Sequence, residues 1–381
     1  MSERKDNPHK KKKILFFTPY SGRTGSEIML YSILRNLDAE LFEIKLISLR
    51  NGELVQDRKN NFSIHTLDDS SMFHRTENFI RKKVTGITNL EKNIIRIHHD
   101  FNPDIWYLNT IVMPEVAEVA LKNNIPFAVH FHELQTQFNL VNDHELEMQV
   151  NKSAFNVGCS RVVCDAIRMM SGREPELMHE CIDLQAIQTD DGISASFRAK
   201  NNIPADHRIV IMSGQRSEIK GLDIFLQVAE QFRGEKIHFV WLGASKHSGY
   251  NFYYEKFAEQ VKEMVTFAYP NPDEYYSILN AADLFFLSSR SDPFPLVMVE
   301  AAFLGKYIVA LDSGGVVEFC EGQIGTIIRH QDIADIISGL RSLLKTLPES
   351  WNPSLSKQRA VAFDVKTQAQ KLSEILLRKL S

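Results

Sequence analysis

The chain has 381 residues, 44% hydrophobic and 24% charged, with a formal net charge of −4. That length exceeds one ordinary core and predicts two domains, while the slightly acidic balance argues against nucleic-acid binding as the main task. No stretch approaches ~18 consecutive apolar residues, so no spanning helix is expected. Four scattered cysteines (Cys159, Cys164, Cys181, Cys320) argue against both a disulfide framework and a paired-cysteine metal site.

In chain order, residues 1–12 read as a disordered basic tail, with six basic and two acidic side chains in the first thirteen. The apolar run Ile14–Phe17 is too short for a signal-peptide core, which predicts a mature cytoplasmic chain. Short β-rich runs then alternate with amphipathic stretches. The first set of strands is Ile14–Phe17, Ile44–Ser48, Ser63–Leu67, Ile105–Leu108, Phe127–Phe131 and Asn156–Cys159. Helices are predicted at Glu27–Leu37, Glu115–Asn123 and Val162–Met170. The second set of strands is Ile209–Ser213, His238–Leu242, Val265–Ala268, Leu284–Leu287, Tyr307–Ala310 and Thr326–Ile328. Near-continuous apolar strands separated by helices indicate parallel sheets covered on both faces.

The predicted fold is therefore α/β, with two doubly wound Rossmann-like domains facing each other across a cleft. The first spans 13–190 and the second 208–362. Between them, 191–207 is polar and reads as a linker. Residues 363–381 read as a final helix, expected to cross back to the first domain.

Five stretches carry chemistry. "TPYSGRTGSEIMLYSIL" follows the first strand; Gly22 and Gly25 permit unusual backbone, Ser26 can cap the next helix, and bare N–H groups there suit an anion. A capped βα turn with no ligand explains the same residues, and the spacing is not that of a dinucleotide fingerprint. "PFAVHFHEL" puts His130 and His132 on one face of a strand end. A metal, a sugar-binding histidine and a structural histidine all fit, but no third ligand lies nearby in sequence.

"IVIMSGQRSEIKGLDIF" brings Arg216 and Lys220 to a loop before a helix, where a diphosphate would find two cations and a favourable dipole. It lacks the P-loop pattern. "SSRSDPFPLVMVEAAFLGKYIVA" holds Asp292 in a loop and Glu300 inside an apolar helix opening near Pro295. A carboxylate there needs donors, which two ribose hydroxyls would supply; the alternative puts Glu300 on the helix's wet face and Asp292 in a turn. Finally, Arg75–Arg96 has six basic residues against two acids, among apolar side chains. A solvated helix face accounts for that charge, and so does a patch resting on an anionic membrane.

Taken together these segments resemble the retaining nucleotide-sugar glycosyltransferases of family 4 (glycosyl transferases group 1), which have the GT-B fold. The similarity is strongest over Arg208–Arg329 and visible in outline from Lys13 to about Ile182. The resemblance implies roles. Arg216 and Lys220 match the residues that bind the donor diphosphate, and Glu300 the acid that holds the ribose. Asp292 matches the acid beside the donor sugar, His132 a histidine that contacts that sugar, and Gly25 the glycine-rich turn near the phosphates. The amides of Leu296 and Val297 would reach phosphate or sugar. Asp292 stands where glutamate is commoner, Pro295 where the family has glycine, and Tyr307 where it has proline.

The implied reaction is transfer of a sugar from a nucleoside-diphosphate sugar to an acceptor hydroxyl, in cell-surface polysaccharide or glycolipid assembly. No metal or other cofactor is implied. The expected partners are the nucleotide sugar, a glycan or lipid-linked acceptor and the inner membrane face by peripheral contact, with no nucleic acid. The alternatives are a non-catalytic sugar-nucleotide-binding subunit and a sugar-nucleotide epimerase on the same architecture.

Overall fold

The computed structural model describes residues 11–22, 25–67, 88–245, 247–321, 324–329, 332–347 and 351–381. The chain divides into two compact units, Met1–Glu180 with Val365–Ser381, and Cys181–Asp364.

The first unit is a parallel sheet of β1 (Lys12–Thr18), β2 (Phe42–Ser48), β3 (Ser63–Thr66), β4 (Ile105–Leu108), β5 (Phe127–Phe131), β6 (Phe155–Gly158) and β7 (Glu176–Leu177). Its order is β3-β2-β1-β4-β5-β6-β7, so the winding reverses between β1 and β4. Lys12 opens β1 instead of ending the basic tail; residues 1–10 of that tail lie outside the described residues. The central strands are apolar throughout, with Leu15, Phe17, Trp106, Leu108 and Val129 fully buried in one core. Each such side chain contributes roughly 1.5–3 kcal/mol by leaving water. Helix Val365–Lys379 belongs to this unit, packing on helix Gly25–Asn36. Lys12 Nζ donates to Leu380 O at 2.6 Å, and Arg378 Nη2 meets Glu176 Oε2 at 2.8 Å.

The second unit is a parallel sheet of β8 (Arg208–Ser213), β9 (Ile237–Leu242), β10 (Val265–Ala268), β11 (Leu284–Leu287), β12 (Tyr307–Leu311) and β13 (Gly325–Ile328). Its order is β10-β9-β8-β11-β12-β13, with the reversal between β8 and β11. The stretch expected as a linker differs. Asp191–Lys200 is a helix of this unit, started by Asp190, whose side chain accepts from Gly192 N. It packs on helix Pro272–Asn280, where Ser194 Oγ donates to Ser277 O at 2.6 Å and Phe197 is buried. Its polar composition hid a narrow apolar stripe.

Among the described residues no helix is long and apolar enough to cross a membrane. Of the basic Arg75–Arg96 stretch, residues 75–87 lie outside the described residues; the rest enters helix Asn89–Phe101.

Candidate functional site

In a doubly wound sheet the loops at the C-terminal strand ends separate where the winding reverses, and ligands bind there. In the second unit those loops follow β8 and β11. They are tied to each other: Ser288 Oγ donates to Lys220 O at 2.9 Å, and Arg290 N to Ile219 O at 2.8 Å. Gly221 makes the approach possible. It has φ +73°, and a Cβ there would stand 2.0 Å from Ser288 O. Only glycine fits both conditions. Arg290 clamps Asp223 with two hydrogen bonds, one of them 2.6 Å, and Tyr250 Oη donates to the same carboxylate at 2.8 Å. Burial opposes ionisation of Asp223, but these partners hold its pKa below the usual carboxylate range. Arg290 is thus a structural cation.

Lys220 and Asp292 are brought together: Lys220 Nζ forms a hydrogen-bonded ion pair with Asp292 Oδ2. Asp292 is 5% exposed, and its N–H donates to Ser313 O at 2.8 Å. Arg216 has other neighbours. Its guanidinium lies 4.7 Å from the Phe267 ring centre and 3.6 Å from Glu255 Oε1. Its Nε is buried without a hydrogen-bond partner, and burial lowers its pKa while Glu255 opposes that.

Helix Leu296–Phe303 follows, with Pro295 as its N-cap at ψ 111° and not in its first turn. Leu296 and Val297 are half-buried and occupy that turn, where N–H groups have no partner within the helix. Glu300 is not on a wet face. Its carboxylate accepts from Tyr275 Oη at 2.8 Å and Tyr276 Oη at 3.3 Å, both on helix Pro272–Asn280. Burial still pushes its pKa above the ordinary value, against the pull of the two phenols. Tyr275 also meets Ser213 Oγ, at the end of β8, at 2.7 Å. The two tyrosines escaped the sequence reading; a Tyr-Tyr pair on an amphipathic helix carries no signal beyond packing.

In the first unit, side chains just beyond the strand ends converge. His132 follows β5, Asn109 follows β4, Cys159 follows β6, and Glu180 lies three residues past β7. His132 Nδ1 hydrogen-bonds Glu180 Oε1, its Nε2 is 3.2 Å from Asn109 Oδ1, and its backbone N–H donates to Glu133 Oε2 at 2.9 Å. His130 is fully buried, its ring centre 4.0 Å from that of His132 and its Nδ1 3.0 Å from Tyr107 Oη. Burial drives His130 well below its ordinary pKa, so it is neutral.

Gly25 begins helix Gly25–Asn36 and is exposed. Ser26 sits inside that helix and does not cap it; its Oγ donates to Glu27 Oε2 at 3.0 Å. Glu27 is buried and its pKa is pushed up by that burial. Residues 23–24 of the loop lie outside the described residues. Glu180 was not a sequence candidate: it stands between Met178 and Ile182 in a short mixed segment with no motif to mark it.

His132, Cys159 and Glu180 each present a donor atom, all buried and within 4.8 Å of one another. Nitrogen, thiol and carboxylate form a set that zinc accepts. Here the carboxylate is already bonded to the imidazole, and burial raises the Cys159 thiol well above its usual range.

Residues 194–353 match the family described as Glycosyl transferases group 1. Over 225 residues the chain is 25% identical to the D-inositol 3-phosphate glycosyltransferase of Mycolicibacterium smegmatis, covering 58% of this chain and 48% of that protein. It is 28% identical to the enzyme of the same name from Mycobacterium tuberculosis over 185 residues, 46% of this chain and 38% of that one. The chain thus spans less than half the length of these curated relatives. Among solved structures, Anabaena HepE in complex with UDP superposes with a TM-score of 0.78 at 18% identity, over 97% of this chain and 100% of that one. At these identities the structural likeness speaks for the fold, and the fold is GT-B.

Proposed function

We propose that the protein is a retaining glycosyltransferase of family 4 that moves a sugar from a nucleoside-diphosphate sugar to an acceptor hydroxyl. The observation that carries the reading is the second unit's paired loops, where Lys220, Asp292, the first-turn amides of Leu296 and Val297, and Glu300 follow two adjacent strand ends within the matched family domain. Lys220 and Arg216 offset charge on the diphosphate, the amides donate to its oxygens, and Glu300 accepts from ribose hydroxyls. Asp292 acts on the sugar; for His132 as a sugar contact and Gly25 as part of the phosphate turn, the support is the family resemblance.

In the reaction the bond from the anomeric carbon to the diphosphate oxygen breaks. A bond to the acceptor oxygen forms on the same face, and the acceptor's proton passes to the departing phosphate. The leaving group is already activated, so the chain's work is positioning and charge stabilisation, without a metal. UDP and glucose occupy one HepE structure, which supports a uridine nucleotide sugar as the first donor to try. A panel of nucleotide sugars with an acceptor extract is expected to give nucleoside-diphosphate release for at least one donor. Tight binding without release across the panel would favour the non-catalytic subunit.

The acceptor we infer is a surface glycan or lipid-linked sugar on the cytoplasmic side of the membrane. Its support is the basic composition of Arg75–Arg96, where each cation near an anionic surface contributes ~1 kcal/mol before salt screens it. Vesicles containing anionic lipid are expected to float the protein at low salt and release it at high salt. Equal, negligible flotation with neutral and anionic vesicles would leave a soluble acceptor.

A further inference from the structure

His132 has acceptor oxygens facing both ring nitrogens. Nδ1 meets Glu180 Oε1 and Nε2 meets Asn109 Oδ1 at 3.2 Å. The orientation of Asn109 is fixed independently, because its Nδ2 donates to Ser26 O at 3.3 Å. A neutral imidazole has one N–H and one lone pair. In either neutral tautomer, one nitrogen lone pair would point at an oxygen lone pair in a nearly dry site, where such a mismatch is costly. The doubly protonated ring satisfies both contacts.

The surroundings agree with that form. Three acidic side chains flank His132: Glu180 beyond β7, Glu133 next in sequence, and Glu27 on helix Gly25–Asn36, the last two with pKa values that burial raises. Among the described residues, burial disfavours the charged forms of the neighbouring His130, Tyr107 and Cys159. Burial is the largest single influence and would by itself lower the pKa of His132, but Glu180, Glu133 and Glu27 together raise it.

We propose that Glu180 is a positioning residue that holds His132 as an imidazolium, leaving Nε2–H as a charged donor for a ligand oxygen. This rests on the glycosyltransferase reading for its purpose, though not for its chemistry. With Nδ1–H committed to Glu180 and Nε2 facing Asn109 Oδ1, the ring is held from flipping. A ligand hydroxyl or phosphate oxygen then meets a fixed cation in place of Asn109 Oδ1. A charged donor of this kind is roughly twice as strong as a neutral one.

The test uses the full chain with nitrogen-15-labelled histidine, and His132→Gln assigns the signals. Both nitrogens of His132 are expected to report as protonated at neutral pH. In Glu180→Gln the titration midpoint of His132 is expected to fall by at least about one pH unit, and Glu180→Asp to restore most of it. In the release assay, Glu180→Gln lowers kcat about ten- to hundredfold and shifts the alkaline limb of its pH profile downward, with a smaller change in KM. A neutral His132 in the native chain, or an unchanged midpoint in Glu180→Gln, overturns the proposal. So does loss of the Nδ1 proton on adding zinc chloride, if Cys159→Ser abolishes that response, since the trio would then be a metal site. A charged His132 in a chain that turns over no donor leaves the pair standing and removes the transferase reading instead.

Discussion

Lys220→Ala is expected to lower turnover by about 100- to 1000-fold, the range for removing one fixed donor from a developing negative charge. Charge on the diphosphate grows as the glycosidic bond breaks, so the cation matters more in the transition state than in the donor complex. The structure complicates the plain version of this experiment. Lys220 is ion-paired with Asp292, which is 5% exposed. Removing the lysine leaves a buried carboxylate unpaired, and breaking such a pair can cost about 3–5 kcal/mol of stability.

Lys220→Ala combined with Asp292→Asn resolves the ambiguity. The double variant is expected to recover the thermal midpoint lost in Lys220→Ala, yet not the turnover. Recovery of both would make the pair structural and the catalytic role wrong. Arg216→Ala has no such complication, since its nearest acid, Glu255, is partly exposed at 3.6 Å. It is expected to reduce kcat more than it raises KM. If only the Michaelis constant rose, Arg216 would be a binding residue without a transition-state role.

Glu300→Gln is expected to weaken nucleoside-diphosphate binding about ten- to hundredfold, because hydrogen bonds to a charged group contribute about 1.5–3 kcal/mol. The amide keeps one acceptor oxygen for Tyr275 and Tyr276 and replaces the other with a donor. Calorimetry with the nucleoside diphosphate reads the loss directly, and unchanged affinity would remove Glu300 from the ribose site.

The same residue sets a pH dependence. Burial raises the pKa of Glu300 above its ordinary value of 4.5, so the ionised acceptor is lost at a higher pH than for an exposed glutamate. Nucleotide affinity should therefore begin to fall early as the solution is acidified, and Glu300→Gln should abolish that early fall. The stability sign is the reverse. A carboxyl with a raised folded pKa contributes stability that is present below its unfolded pKa and is lost as pH rises through the folded value. Loss of affinity on acidification through Glu300 is thus not loss of fold through Glu300, and a melting curve at each pH separates the two.

Most strands were legible because their code is local. Ile14–Phe17, Phe127–Phe131 and Leu284–Leu287 are short apolar runs bounded by turn residues, which buried parallel strands require whatever lies beside them. The loop bearing Lys220 and the helix bearing Glu300 could be placed for the same reason. Helix Asp191–Lys200 escaped because its apolar stripe is too narrow to outweigh its polar composition. What the sequence could not state is which groups become partners. Lys220 and Asp292 are 72 residues apart, His132 and Glu180 48, and Tyr275 and Glu300 25. Only the crossovers that set β8 beside β11, and β4, β5, β6 and β7 side by side, bring those loops together. The amino-acid sequence by itself determined most of the strands, several of the helices and the charged residues at their ends. The tertiary structure decided which charges are neutralised and which carboxylate meets a phenol or an imidazole, because a buried polar group takes its partner from whatever strand end the topology places within hydrogen-bond reach.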